Sequence, residues 1–152
     1  RHLIHFNKKH LFNPAALGIF LSTIFFGASL QWKATYMWYV LIPFGLYFIY
    51  KIKKTELLLG YILTSLILFG VQAYIQKTPF LNIFGYLSCF YVFIMLIEPK
   101  TTPIKAWGKL IFGIGVAILI FILTEAGVRF DAELFALLIF NLTVPLLNKL
   151  SV

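Results

Sequence analysis

The sequence predicts an all-α fold, a polytopic membrane protein with about six transmembrane helices, with discontinuous or re-entrant helices where proline interrupts a run. Of its 152 residues, 61% are hydrophobic and 12% are charged, whereas soluble domains are about 25% charged. The mean hydropathy is +0.93, and the charged residues lie in short clusters between long apolar runs. Lipid is therefore the predicted solvent for most of the chain.

Six apolar stretches have the length that crosses a bilayer, about 17 to 25 residues. They cover residues 14–30, 34–50, 57–75, 80–97, 106–124 and 130–147. None alternates polar and apolar residues as a barrel strand must, and a helix pairs all its backbone groups internally. One transmembrane domain is predicted over residues 14–148, between a basic segment at 1–13 and a tail at 149–152.

The positions of Lys and Arg predict the orientation. With the amino terminus inside, ten of the 13 basic residues fall on the inner side, and only Lys33, Lys77 and Arg129 fall outside. Positive residues concentrate in cytoplasmic loops, so both termini are predicted on the cytoplasmic side of the membrane. This pattern accounts for the net charge of +8, and nucleic acid is not predicted as a partner.

Helix ends and interruptions are also visible in the sequence. Asn13 and Pro14 predict an N-cap followed by proline at the first helical position. Pro43 and Pro145 lie within apolar runs and predict kinks or breaks. A small-residue face that admits a neighbouring helix is predicted from Gly113, Gly115 and Ala117.

The densest polar feature is the segment 98–103, Glu-Pro-Lys-Thr-Thr-Pro, directly after the fourth run. A carboxylate beside two hydroxyls at a membrane edge suits a cation, a cap for the next helix, or the polar headgroup of a cofactor. The simpler alternative is an inner loop in which Glu98 pairs with Lys100 and the prolines set the turn. The sequence alone leaves these alternatives open.

Two asparagines are further candidates. Asn13 opens a helix whose backbone N–H groups could bind an anion, although plain capping explains it as well. Asn141 lies near the middle of the last run, where an amide needs a partner, either another helix or a ligand. The lone Cys89 fits no metal pattern, and neither does the spacing of His2, His5 and His10 in the amino-terminal segment. No nucleotide-binding loop or hydrolase elbow is present, so a self-contained enzyme is not predicted.

Three segments, taken in order, resemble a known family of membrane subunits. The segment 10–18 contains a Phe-Asn-Pro-Ala helix opening, the segment 93–113 contains an acidic-Pro-x-Thr loop and a Gly-rich helix, and the segment 131–146 ends in Asn-x-x-x-Pro. This family includes RnfD, the D subunit of the Rnf electron-transport complex, and NqrB, the B subunit of the sodium-translocating NADH:quinone oxidoreductase. Its members carry additional helices upstream, so the chain resembles the later part of a larger membrane domain.

The resemblance implies a membrane subunit of a flavin-linked electron-transport system in the cytoplasmic membrane, the bacterial inner membrane. Such a subunit is an oxidoreductase component associated with ion transport. Its implied partners are other membrane subunits or upstream helices and a cytoplasmic flavoprotein similar to ferredoxin reductases. A polar site for the cofactor is expected at Asn13, Glu98, Thr101, Thr102 and Asn141. The family's loop usually carries Asp where this chain has Glu98.

One departure from the family concerns the flavin. Classical members attach FMN covalently to threonine in a Ser/Asp-Gly-Ala-Thr-x-x-Thr motif, and the stretch 28–35 that follows the first run here contains no such motif. Thr35 is a poor match, so the chain resembles a shortened branch, and non-covalent FMN or riboflavin is expected instead. Alternatives are a small-solute or ion transporter, because the family's fold resembles that of urea channels, and a structural membrane subunit.

Overall fold

The computed structural model describes residues 5–6, 9–10, 12–27 and 37–150. A two-residue strand β1 (His5–Phe6) pairs antiparallel with β2 (Lys9–His10). The helices are α1 (Pro14–Phe26), α2 (Trp38–Lys51), α3 (Thr55–Ile75), a 3-10 helix (Phe80–Tyr86), a π-helical turn (Tyr91–Met95), α4 (Ala106–Glu125) and α5 (Ala132–Leu150). The stretch 28–35 that bears on covalent FMN lies outside these residues.

The first helix begins as predicted and ends earlier. Asn13 is the N-cap and Pro14 occupies the first helical position. Gly27, with φ 60°, forms a left-handed C-cap directly after Phe26, a conformation that glycine adopts without steric cost. The predicted end of this run at residue 30 is therefore wrong, because hydropathy does not register the turn at Gly27.

The two prolines within apolar runs do not end their helices. Pro43 lies inside α2 and Pro145 lies inside α5, and both helices continue past them to Lys51 and Leu150. The break that the sequence allowed occurs at neither position.

The fourth predicted span is not one continuous α-helix. A 3-10 helix at Phe80–Tyr86 is followed by an interruption at residues 87–88 and then by the π-helical turn. In that turn the N–H of Leu96 donates to the carbonyl of Tyr91 five residues earlier, at 2.8 Å. The sequence allowed for discontinuous helices, but it did not place one here.

Glycines bring α3 and α4 into close contact. The helices run parallel, with Gly60 of α3 against the carbonyl of Leu110 and Gly113 of α4 against the backbone of Leu57. Gly115 instead faces the ring of Phe140 on α5. The predicted single small-residue face is therefore wrong in detail, because residues two apart on a helix point in different directions and contact different helices.

Three of the described helices are long and apolar enough to cross a membrane, namely Thr55–Ile75, Ala106–Glu125 and Ala132–Lys149, and α1 is a shorter apolar helix. Many large apolar side chains on the outer surface are exposed, among them Phe44 and Tyr47 of α2 and Ile67 of α3. Such a surface is stable in lipid and costly in water. The all-α, polytopic membrane fold predicted from the sequence is confirmed.

Candidate functional site

The loop at residues 98–103 folds onto itself through hydroxyl groups. Thr102 Oγ1 donates to the carbonyl of Glu98 at 2.8 Å, and Thr101 Oγ1 donates to Glu98 Oε2 at 3.4 Å. Both threonines are buried. Because the loop side chains bond to the loop itself, this polar segment can lie inside the protein at the start of α4.

Lys54, at the turn between α2 and α3, fastens this loop to the helices. Its Nζ donates to Thr102 Oγ1 at 2.6 Å and to the carbonyl of Pro103 at 2.7 Å. Burial, together with the nearby charge of Lys109, lowers the pKa of Lys54 to about 8, and Glu56 opposes the shift. Close to neutral pH this amine is therefore a buried hydrogen-bond donor that releases its proton easily.

Lys109 of α4 makes a second connection at the same end of the bundle. Its Nζ donates to the carbonyl of Lys53 at 2.5 Å and lies 3.3 Å from Glu56 Oε2. The end of α5 joins this group, because Asn148 Oδ1 accepts from the N–H of Ile104 at 2.9 Å. The turn between α2 and α3, the loop at 98–103 and the ends of three helices, α3, α4 and α5, thus meet in one polar layer, which we call the basic end.

Asn13 lies close to this layer and acts as a helix cap. Its Oδ1 accepts from the N–H groups of Ala15 and Ala16 at 2.9 and 3.1 Å, and its Nδ2 donates to Met95 Sδ at 3.8 Å. The contact with Met95 places α1 beside the segment that leads into Glu98. The two N–H groups that an anion would use are already bonded to the asparagine itself.

Asn141 differs from the other four predicted residues. It is 0% exposed, and neither its Oδ1 nor its Nδ2 has a hydrogen-bond partner among the described residues. A buried amide without partners costs about 1 to 3 kcal/mol. The structure therefore gathers Glu98, Thr101 and Thr102 in one bonded loop, with Asn13 beside it, and leaves Asn141 as a buried amide on α5 that shares no observed hydrogen bond with them.

Two charged residues at these polar features are not predicted from the sequence, Lys54 in the polar layer and Glu133 in a cavity. The charge pattern predicts that Lys54 lies on the inner side of the membrane, but not that it is buried. Glu133 appears in the sequence only as one of the acidic residues close to Arg129. The available signal is position, because Lys54 lies shortly before the run 57–75 and Glu133 lies near the start of the run 130–147. Glu133 lines a cavity at the opposite end of the bundle from the loop.

Helices of bilayer length, a broken helix and a buried polar layer together define an integral membrane protein with internal polar sites. The sequence model of the NQR2, RnfD, RnfE family matches residues 33–152. The chain belongs to this family, as the three sequence segments predicted.

Individual relatives of the chain belong to the same family. The chain is 29% identical over 157 residues to the D subunit of the ion-translocating oxidoreductase complex of Mannheimia succiniciproducens, covering 98% of this chain and 40% of that protein. The corresponding D subunit of Aeromonas hydrophila is 29% identical over 97 residues, covering 60% of this chain and 28% of the relative. The chain thus spans well under half the length of these relatives.

Proposed function

We propose that this chain is a membrane subunit of an ion-translocating redox complex, and that it passes electrons to or from a cytoplasmic flavoprotein similar to ferredoxin reductases. Membership of the family and the name of its relatives support the redox complex. Because the chain covers only part of those relatives, other membrane segments or subunits complete the assembly.

The positive charge of the basic end supports the proposal that the flavoprotein docks on this side. Exposed lysines surround the buried layer, and they are Lys51, Lys53, Lys100 and Lys105. Positive residues face the cytoplasm in membrane proteins, and a positive surface attracts an acidic partner and orients its approach. We therefore assign this end to the cytoplasm, with both chain termini on that side.

The flavin of the proposed system would be held without a covalent bond, as FMN or riboflavin. Asn141 fits such a group, because its buried amide offers donors and an acceptor that no described residue uses. Asn13, Glu98, Thr101 and Thr102 are already bonded within the protein, so they position the surrounding loop and helix. When bound, a flavin supplies electron transfer in one- or two-electron steps, and the helices supply orientation and exclusion of water.

An absorption spectrum tests this proposal. Gently purified protein should carry flavin that is released on denaturation without a covalent attachment. Asn141→Leu removes the unpaired amide at similar volume, and we expect its flavin content to fall at least tenfold while the protein stays folded. Thr143→Val is the matched control on the same helix, since the Thr143 hydroxyl bonds to the carbonyl of Phe140 at 2.7 Å.

Three results would contradict the proposal. The first is wild-type protein that carries no flavin, and the second is an Asn141→Leu variant that retains as much flavin as the control. The third is solute flux through liposomes that needs no redox partner, which would favour a transporter of related fold.

A further inference from the structure

The beginning of α4 and the end of α5 meet at one corner of the basic end. The N–H of Ile104 donates to Asn148 Oδ1 at 2.9 Å, which joins the two helix ends. A carbon added at Gly108 would lie 3.5 Å from the carbonyl oxygen of Leu147, so the helices stay in contact over the first turn of α4. We call this junction the α4–α5 corner, and its exposed residues are Ile104, Lys105, Trp107, Leu146 and Lys149.

The apolar part of the corner is continuous with the lipid-facing side of the helices. Trp107 is 71% exposed and Ile104 is 61% exposed. Ile111 is exposed one turn further along α4, on the face that carries Trp107, and Leu146 is exposed on the neighbouring end of α5. Tryptophan is enriched where the hydrocarbon meets the headgroups, so its ring indicates that this corner lies at the headgroup level.

Two lysines flank the bond that joins the helix ends. Lys105 directly follows Ile104 in the sequence, and Lys149 directly follows Asn148. Both lysine side chains are exposed, and neither forms an ion pair or a hydrogen bond with another described residue. The corner therefore presents two amino groups whose donors are unused within the described part of the chain, directly beside an apolar surface.

The acidic residues of the chain do not neutralise these lysines. There are five of them, and two lie at the basic end. Glu56 pairs with Lys109 at 3.3 Å, and Glu98 accepts from Thr101 at 3.4 Å within the loop. The other three lie at the opposite end of the bundle, and they are Glu125, Asp131 and Glu133. The positive charge of the corner is thus available to an anionic group from outside the chain.

We propose that the α4–α5 corner binds the headgroup of an anionic phospholipid, whose phosphate oxygens accept from Lys105, Lys149 and the indole N–H of Trp107. Its acyl chains lie along the exposed side chains of Ile111 and Leu146. Lysines beside a membrane helix on the cytoplasmic side attract anionic lipids, and a lysine keeps its stem on apolar surface while its amine reaches the headgroup. A soluble acidic protein would match the charge but not the apolar face. The site goes beyond the proposed function, and the other exposed lysines of the basic end remain available to the flavoprotein.

Quenching of Trp107 fluorescence by brominated lipids tests the site. In the full chain with Trp32→Phe and Trp38→Phe, Trp107 is the remaining tryptophan. The protein is placed in vesicles that mix phosphatidylglycerol with phosphatidylcholine, and only one of the two lipids carries bromine on its acyl chains. Comparison of the two brominated series gives the relative affinity of the lipids at the indole. We expect phosphatidylglycerol to bind roughly fivefold more strongly than phosphatidylcholine, because the corner carries two unpaired lysines.

Charge variants show whether the preference belongs to this corner. Lys105→Gln combined with Lys149→Gln should bring the affinity ratio to about one, because both charges are lost. The matched control combines Lys51→Gln with Lys53→Gln, which removes two exposed lysines of the same end at the turn between α2 and α3, and it should keep the preference. The proposal is overturned if both lipids quench Trp107 equally, if the corner variant keeps the preference, or if the control loses it to the same extent.

Discussion

Gly113→Ala is expected to separate α3 from α4. A methyl group at this position would overlap the carbonyl oxygen of Leu57 and come within 2.9 Å of the backbone nitrogen of Tyr61. Carbon contacts settle at about 3.5 Å, so the helices must move apart by at least about half an ångström. The obstructing atoms belong to the backbone and cannot rotate away. Overpacking of this kind costs about 1 to 3 kcal/mol, partly offset by the better helix propensity of alanine.

We expect a net loss of about 1 kcal/mol, which corresponds to roughly 2 to 4 °C in melting temperature for a chain of this size. The measurement is thermal unfolding in detergent, followed by tryptophan fluorescence. Gly18→Ala is the control, because Gly18 lies inside α1 with no heavy atom within 4 Å of the added carbon, and it should gain about 0.5 to 1 kcal/mol. Equal shifts in both variants, or a stabilised Gly113→Ala, would refute the close approach of the helices.

Two further predictions concern the basic end. The folded-state pKa of Lys54 is about 8, below its usual 10.5, so between these values the unfolded chain binds more protons and stability rises with pH. Melting temperatures at pH 7 and 10 should show this rise in wild type and lose it in Lys54→Met, and an unchanged slope would contradict it. Asn13→Ala should lose about 1 kcal/mol through the missing cap, whereas Asn13→Asp should retain most of it; equal losses in the two variants would argue against capping.

The long helices could be predicted because their physical requirement is simple. The run predicted at 57–75 forms α3 (Thr55–Ile75), and the run predicted at 106–124 forms α4 (Ala106–Glu125). A segment that lies in lipid must be apolar, long and internally hydrogen-bonded. These conditions act on neighbouring residues of one segment, so hydropathy and length suffice to locate the helix.

The interruption of the fourth span could not be predicted in the same way. Hydropathy measures the transfer of side chains into lipid, and that quantity is similar for an α-helix, a 3-10 helix and a π-helical turn. The difference lies in which carbonyl each N–H contacts, as with Leu96 and Tyr91. The burial of Lys54 could not be predicted either, because it depends on a hydrogen bond to Thr102, which is 48 residues away in the sequence.

The interrupted segment runs from one end of the bundle to the other and contacts a polar feature at each end. Near its middle, the N–H of Ser88 donates to the carboxylate of Glu133, which lines the cavity at the end of the bundle opposite the basic end. At its far end, Met95 contacts Asn13, and Glu98 accepts from Thr101 in the loop of the basic end. The α3–α4 pair differs from this segment, because at Gly113 the backbones of two continuous helices pack directly against each other. In an uninterrupted helix, the N–H of Ser88 would donate to a carbonyl of the same helix. The break therefore leaves this N–H available to donate to the carboxylate of Glu133.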